Sequence, residues 1–316
     1  MGHRPRGPRL SRCDAVGDEG DDGLTRWATV STILAPARDV ARFVAWHLSQ
    51  GAHHMTIFLD APDPALAARL AHPRVTFHQC DDAHWTGAPD KARTTHQRRQ
   101  AHNATRAYRR STADWLLHID VDEFLLGGFS APASDAARIR PAELLMDGPW
   151  PDRGLFKKSR RAAGLSRAAH AALHPQFGDL VPDGMLSYGG GKTALRTGLN
   201  GIRFGLHDAT KHGEKLHAPV APGMLIGHAH APTRTTFDQH RAFRAARGSY
   251  RAHGKPNALG TALSTLEADG RLPDFLEEIA VASPARLDLY AARGMLVTVE
   301  MQLDAKVKDL FGDAPI

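Results

Sequence analysis

Asp120 and Asp122, two residues apart at the end of an apolar run, are the side chains of this chain best suited to hold a divalent cation. The run is Trp115-Leu116-Leu117-His118-Ile119, and it reads as a buried strand, because a short stretch this rich in large side chains suits a sheet interior. The carboxylates then fall at its C-terminal end, where ligands bind in open α/β sheets. Alternation along the strand turns both to one side with Val121 facing away, so two hard oxygen donors converge. Adjacent carboxylates repel unless a cation lies between them, and a divalent ion there can also hold substrate phosphates. Acids at a strand end often serve only as turn and cap residues for local amides. Here Glu123 is followed at once by Phe124-Leu125-Leu126, and turn chemistry alone does not explain a buried strand that delivers three acids and returns to apolar residues.

A parallel sheet is what must carry these acids. Residues 28–35 (ATVSTILA) predict a first strand, closed by Pro36, and Val40, Phe43, Val44, His47 and Leu48 make one face of a helix that Gly51 ends. Residues 54–59 predict a second strand with a turn at Asp60, Leu66 and Leu70 mark a short helix, and residues 74–78 predict a third strand ahead of Asp81 and Asp82. Strand and helix in alternation are the signature of a parallel sheet with right-handed crossovers. Asp60, Asp81 and Asp82 thereby share the sheet edge of Asp120, as ligand contacts or as helix caps. Residues 91–110 predict one basic helix. A charge run on a helix is normally a solvated face, yet Arg98 or Arg99 with Gln100 and Asn103 can face a diphosphate, to which guanidinium forks are suited. Beyond Pro232 helical spacing predominates, over 237–250, 263–267, 275–280 and 295–310, with Gly, Pro and Asn between. The expected organisation is a disordered tail over 1–25, an α/β domain over 26–252 and a helical extension over 253–316.

Composition narrows the class. The chain has 316 residues, and 40 Lys and Arg against 34 Asp and Glu give a net charge of +6. That mixed surface argues for an anionic substrate or a membrane surface more than for nucleic acid. Only Cys13 and Cys80 occur, in different contexts, which argues against a disulfide framework or a cysteine zinc site and fits a reducing cytoplasm. No apolar run approaches the roughly 20 residues that span a bilayer, and the N-terminus lacks a hydrophobic signal core. In the second half, Gly189-Gly190-Gly191-Lys192-Thr193 is not a P-loop, whose first glycine would fall at Leu186. Lys192 either neutralises a phosphate or carboxylate where the backbone approaches closely, or belongs to a flexible turn. His228-Ala229-His230 in a strand puts two imidazoles on one face, a spacing metals use, although 19 histidines make a chance pair common.

The order of these elements, with WLLHIDVDEFLL over 115–126, Asp60, and Arg99-Gln100 in a basic helix, resembles the family 2-like glycosyltransferases of GT-A fold. More narrowly, it is similar to a bacterial subgroup marked by an Asp-x-Asp-Glu-Phe block. The resemblance covers residues 27–252 and is strongest at 91–126. It continues in 189–196 with His207, in Leu225-Ile226-Gly227-His228-Ala229-His230 and in Gly248-Ser249-Tyr250-Arg251. It implies a GT-A-like fold, a mostly parallel sheet flanked by helices, and transfer of a sugar from a nucleoside-diphosphate donor. Mn²⁺ or Mg²⁺ would sit on Asp120 and Asp122, with His230 as a further candidate ligand. Asp120 would also hold the ribose-diphosphate, Asp60 would sit where the nucleoside is read, and Arg99, Gln100 and Lys192 would complete the donor contacts. Ala35-Pro36-Ala37-Arg38-Asp39 stands where many relatives carry an Asn-Glu pair, which leaves the nucleotide unread. If transfer inverts the anomeric centre, the acceptor hydroxyl needs a base from beyond the acidic strand, with Asp183 preferred over Asp179 and Asp208. The acceptor is a glycan, lipid or protein. A cytoplasmic protein is expected, with peripheral contact at the inner membrane left open and the oligomeric state unread. Two other classes stay open: a metal-dependent phosphohydrolase, whose Asp-x-Asp normally lies on a first strand, and a non-catalytic module docking an anionic glycan on the basic helix, in a salt-sensitive manner.

Overall fold

The computed structural model describes residues 25–247, 250–252 and 255–313. Residues 1–24 of the expected tail, Cys13 among them, and the Gly248-Ser249 pair lie outside the described residues.

The first half is built as the periodicity predicts. β1 (Trp27–Ile33), α1 (Ala37–Ser49), β2 (His54–Leu59), α2 (Pro64–Arg69) and β3 (Val75–Gln79) follow one another, and β1 pairs in parallel with β2, and β2 with β3. Gly51, at φ +83°, ends α1 in the left-handed conformation that its position in the sequence anticipates. Pro64 opens α2 where a missing N–H costs nothing, and Asp63 caps it by accepting the Leu66 N–H at 2.8 Å. The basic segment expected as one helix is divided, after α3 (Asp82–Trp85), into α4 (Asp90–Arg93) and α5 (His96–Tyr108). Thr95 between them is extended (φ −139°, ψ 155°), and its hydroxyl accepts the Arg98 N–H at 3.3 Å. A hydroxyl that satisfies the backbone locally starts a new helix at the cost of continuing the old one.

β4 (Trp115–His118) enters the sheet on the far side of β1, again parallel. The chain thus steps outward from β1 to β3 and returns past β1, which makes the β1–β4 junction the topological switch point. Alternate residues bury on opposite faces. Ile33, Ile57 and Leu117 pack with Val40, Phe43 and Val44 of α1, whereas Val30, Phe58 and Leu116 pack with Ala104, Ala107 and Tyr108 of α5. Helices on both faces are the reason these strands read as continuous apolar runs.

Beyond β4 the strands mostly reverse. β5 (Glu123–Leu126), β6 (Ala136–Leu144), β7 (Arg153–Lys158), α6 (Arg167–Leu173) and β8 (Lys192–Arg196) lead to a small sheet of β9 (Ile202–Phe204), β10 (Ala209–Lys211) and β11 (Glu214–Lys215). β12 (Val220–His228) and α7 (Arg234–Arg247) follow. β8 lies antiparallel between β4 and β6, and β12 runs antiparallel to β5 and parallel to β6. The result is a mixed ten-stranded sheet flanked by helices.

After a short hairpin of β13 (Arg251–Ala252) and β14 (Lys255–Pro256), the C-terminal part contains α8 (Ala258–Ala268), α9 (Leu272–Ile279), α10 (Pro284–Ala292), β15 (Leu296–Glu300) and α11 (Leu303–Phe311). β15 corrects the expectation of helix over 295–310 and of a purely helical extension. Its sequence LVTVE is rich in β-branched residues, Gly294 at φ +63° turns the chain into it, and it pairs antiparallel with β7 at the sheet edge. α11 returns to α1, where Arg42 grips Asp304 with two hydrogen bonds of 2.7 and 2.8 Å. Among the described residues no helix is long and apolar enough to cross a membrane.

Candidate functional site

The two acids stand at the switch point, but in a turn and not on a strand. β4 ends at His118, and residues 119–122 connect it to β5. Alternation is therefore not what orients the acids; the turn is. It is pinned from every side. Ser31 of β1 donates to the Ile119 carbonyl at 2.7 Å, the Asp120 N–H is accepted by Glu123 Oε2 at 2.8 Å, and the Ala229 N–H donates to the Asp122 carbonyl at 2.8 Å. The Asp120 and Asp122 side chains stay 32% and 36% exposed, open to a ligand from outside.

Beneath them lies a buried ion network. Lys192, 1% exposed at the start of β8, places its ammonium 2.7 Å from Asp120 Oδ2 and 3.1 Å from Glu123 Oε2. Glu123 is fully buried, accepts the Tyr188 hydroxyl on Oε1, and sets Tyr188 beneath the Lys192 ammonium, 5.6 Å from the ring centroid. Gln100 of α5 donates to Asp120 Oδ1. Desolvation would raise the Asp120 carboxyl, but the Lys192 ammonium outweighs it and holds Asp120 well below the usual carboxylate range. The same network keeps Lys192 charged despite burial, while burial pushes Glu123 upward. Lys192 thus spends its charge on holding Asp120 ionised, and does not project toward solvent as a phosphate ligand would.

The glycine run before Lys192 has a steric cause. Gly191 sits at φ +79°, and a Cβ there would lie 2.1 Å from the Ile139 carbonyl oxygen of β6; a Cβ on Gly189 would lie 2.8 Å from Asp183 Oδ2. Gly191→Ala is expected to destabilise the protein by about 2–3 kcal/mol, read from the urea midpoint, because both the backbone and Ile139 must shift.

Of the paired histidines, the structure brings His228 and not His230 to the acids. His228 Nε2 lies 3.3 Å from Asp122 Oδ2. Burial alone would lower the His228 imidazole, but Asp122 outweighs it and the pKa is raised. His230 sits behind it at 5.2 Å between ring centroids, with Nδ1 3.5 Å from Glu143 Oε1 and both ring nitrogens without a hydrogen-bond partner; burial drives its pKa far down. His207 closes the other side against Tyr188, held neutral by burial with its pKa lowered to about 4.

The remaining predicted residues divide. Asp60 and Arg99 meet each other: Nε–Oδ1 and Nη2–Oδ2 are both 2.6 Å, His96 adds a contact at 3.0 Å, and the Asp60 side chain is 2% exposed. They rivet the end of β2 to α5, so neither presents a free fork to a diphosphate. Desolvation opposes ionisation of Asp60, yet His96 and Arg99 together lower its pKa to about 2 from the ordinary 3.8. Because the folded value is depressed, the stabilisation is full above about pH 4 and disappears as pH falls through about 2. Asp60→Asn is expected to lose about 2 kcal/mol at pH 7 and progressively less below pH 4, measured by urea unfolding at pH 7 and pH 3. Asp183 is paired through Oδ1 with Arg160 at 3.4 Å and Arg161 at 3.2 Å, and lies against Gly189, one residue from Tyr188. Asp208 pairs with Lys215 at 2.6 Å and shares a hollow with Tyr188 and His207. Asp179 is exposed in a short turn at Gly178–Leu180 that packs on α6 and α8, and no contact among the described residues brings it to the acids. Asp81 caps α3 by accepting the His84 N–H at 2.8 Å, and Asp82 pairs with Arg93. Sequence reasoning assigned no role to Tyr188, and named Glu123 without one. The signal for both was present: an acid embedded before Phe124-Leu125-Leu126 must be buried and needs a buried cation and donor.

The donor set suits a hard divalent ion. Each Asp120 oxygen accepts one hydrogen bond and retains a second lone pair, and Asp122 engages His228 through Oδ2. Asp120, Asp122 and Glu123 thus set three carboxyl groups against one permanent cation, Lys192, with His228 beside Asp122. Among the described residues no three His, Cys, Asp or Glu side chains form a cage, and Mg²⁺-type sites commonly use only one or two carboxylates, completed by substrate phosphates and water. No protein-family model and no curated protein matches this chain.

Proposed function

We propose that this chain is a metal-dependent glycosyltransferase of GT-A architecture that moves a sugar from a nucleoside-diphosphate donor to a glycan, lipid or protein acceptor. The observation that carries this reading is the Asp120–Asp122 turn at the C-terminal end of β4, beside the β1–β4 switch point, with Lys192 fixing Asp120 from below. When bound, Mn²⁺ or Mg²⁺ supplies Lewis-acid neutralisation of the leaving diphosphate. Asp120 and Asp122 would hold it. Lys192 and Gln100 orient Asp120, and His228 orients Asp122. The nucleoside approaches over the ends of β1 and β2, and the acceptor enters from the β6–β8 side, where Tyr188 and His207 border the acids. For an inverting transfer, the acceptor proton goes to a base on that side. Asp183 and Asp208 flank the Tyr188 loop there, through Gly189 and through the shared hollow, whereas Asp179 does not.

The test is release of UDP or GDP from nucleotide sugars. With Mn²⁺ present, at least one donor is expected to turn over; EDTA is expected to stop it. Failure of every donor, with metal-dependent hydrolysis of simple phosphoesters instead, would favour the phosphohydrolase reading.

A further inference from the structure

We propose that the groove between α5 and β9 binds an anionic polysaccharide, at a site separate from the acid turn. α5 presents Gln100 and Asn103 inward, to Asp120 and to Thr32 of β1. Its outer side borders a hollow of about 880 Å³ whose other walls are the 84–92 segment, which carries Lys91, and β9, which carries Arg203. Six permanent cations line that hollow: Lys91, Arg98, Arg106, Arg109, Arg110 and Arg203, and no Asp or Glu does. The chain as a whole is nearly balanced in charge, so the exclusion of acids is local to this groove. Among the described residues none of the six forms an ion pair, although arginines elsewhere, such as Arg42, Arg99 and Arg241, are paired with carboxylates. Like charges gathered in one concavity repel one another and focus a positive potential that a polyanion neutralises.

The shape and lining select among polyanions. A bilayer is flat, and the exposed large apolar side chains among the described residues, Leu34, Leu180, Val220, Phe243 and Leu310, all lie outside this groove, so nothing there inserts into lipid. Single-stranded nucleic acid needs exposed aromatic platforms for its bases. Of the rings on the groove's lining, Phe204 is buried, 5% exposed, and His84 and His102 are partly buried and packed on Trp85, so none stands free as a platform. A chain of carboxylated or sulfated sugars asks only for spaced cations, which is what the groove offers. This inference stands whether or not the acid turn transfers sugars.

Polygalacturonate is the probe. Its binding is measured by calorimetry at 50 and 200 mM NaCl for the full chain, for Arg109→Glu/Arg110→Glu/Arg203→Glu, and for the same three positions changed to Lys. Wild type is expected to bind and to weaken by about tenfold or more between the two salts. Charge reversal is expected to remove at least about tenfold of the affinity at the lower salt with an unchanged unfolding midpoint, and the Lys variant to bind like wild type. Should the reversed variant fail to fold, Arg109→Gln/Arg203→Gln replaces it, with the same direction expected. The inference is overturned if the folded Glu variant, or the folded Gln variant that replaces it, binds like wild type, if the Lys variant loses affinity as the Glu variant does, or if wild type ignores polygalacturonate, including the case in which it binds oligo(dT) or phosphatidylglycerol vesicles instead.

Discussion

Lys192→Met is expected to destabilise the protein by about 3–5 kcal/mol, the largest loss of any single substitution considered for this chain. The cause is not the attraction that is removed but the charges left behind. Glu123 is fully buried and Asp120 partly so, and their shared ammonium partner is gone. An unpaired buried carboxylate escapes its desolvation penalty by taking up a proton, and burial already pushes Glu123 in that direction. The sign of the pH dependence follows. The variant should recover stability relative to wild type as pH falls and Glu123 protonates, and the gap should be widest at neutral pH. Denaturant unfolding at pH 7 and pH 5 measures both. Adding Glu123→Gln to Lys192→Met removes one of the stranded charges and should return about 1 kcal/mol or more of the loss, because contacting partners are not additive. If Lys192→Met costs less than about 1 kcal/mol at pH 7, the network does not hold the turn in the manner described.

The second large effect concerns the proposed sugar transfer. Asp122→Asn is expected to leave stability within about 1 kcal/mol of wild type, since the side chain is more than a third exposed, and to reduce sugar transfer by about three orders of magnitude. A carboxylate-held divalent ion contributes several kcal/mol at a developing diphosphate charge, and about 4 kcal/mol is close to a thousandfold in rate. Turnover of the responsive nucleotide sugar under saturating Mn²⁺ measures it. A variant that retains a tenth or more of the wild-type rate would place the metal elsewhere.

How much of this was legible beforehand depends on how far apart the partners lie in the chain. The β1–α1–β2–α2–β3 succession reads directly, because each strand is an apolar run, α1 has one apolar face, and Gly51 and Pro64 mark helix boundaries through backbone geometry alone. Local competition was harder. Thr95 diverts its hydroxyl to a cap and splits the basic helix, and β15 has enough apolar content to pass for helix until its partner β7 is known. The acid motif was found, but its geometry was misjudged. Two carboxylates at positions i and i+2 share a face on a strand by alternation, and here their placement is set instead by a turn bolted to Ser31, Glu123 and Ala229. Least legible were pairings at long range. Nothing in the sequence ties Lys192 to Asp120, 72 positions earlier, or Arg99 to Asp60, 39 positions earlier. Both cations looked available to a phosphate, and both are consumed by carboxylates of the fold itself. His228 and His230 are the same residue type two positions apart, and only the placement of the Asp122 turn decides which of them faces it.

The central claim, that Asp120 and Asp122 form a metal-dependent nucleoside-diphosphate site, is tested most directly by calorimetric titration of UDP and GDP. Wild type is titrated with Mn²⁺ and with EDTA, alongside an Asp120→Asn/Asp122→Asn variant shown to be folded. One nucleotide is expected to bind with Mn²⁺, and that binding to vanish both in EDTA and in the variant. If neither nucleotide binds folded wild type in the presence of Mn²⁺, or if binding is equally strong in EDTA and in the variant, the acid turn is not a donor site.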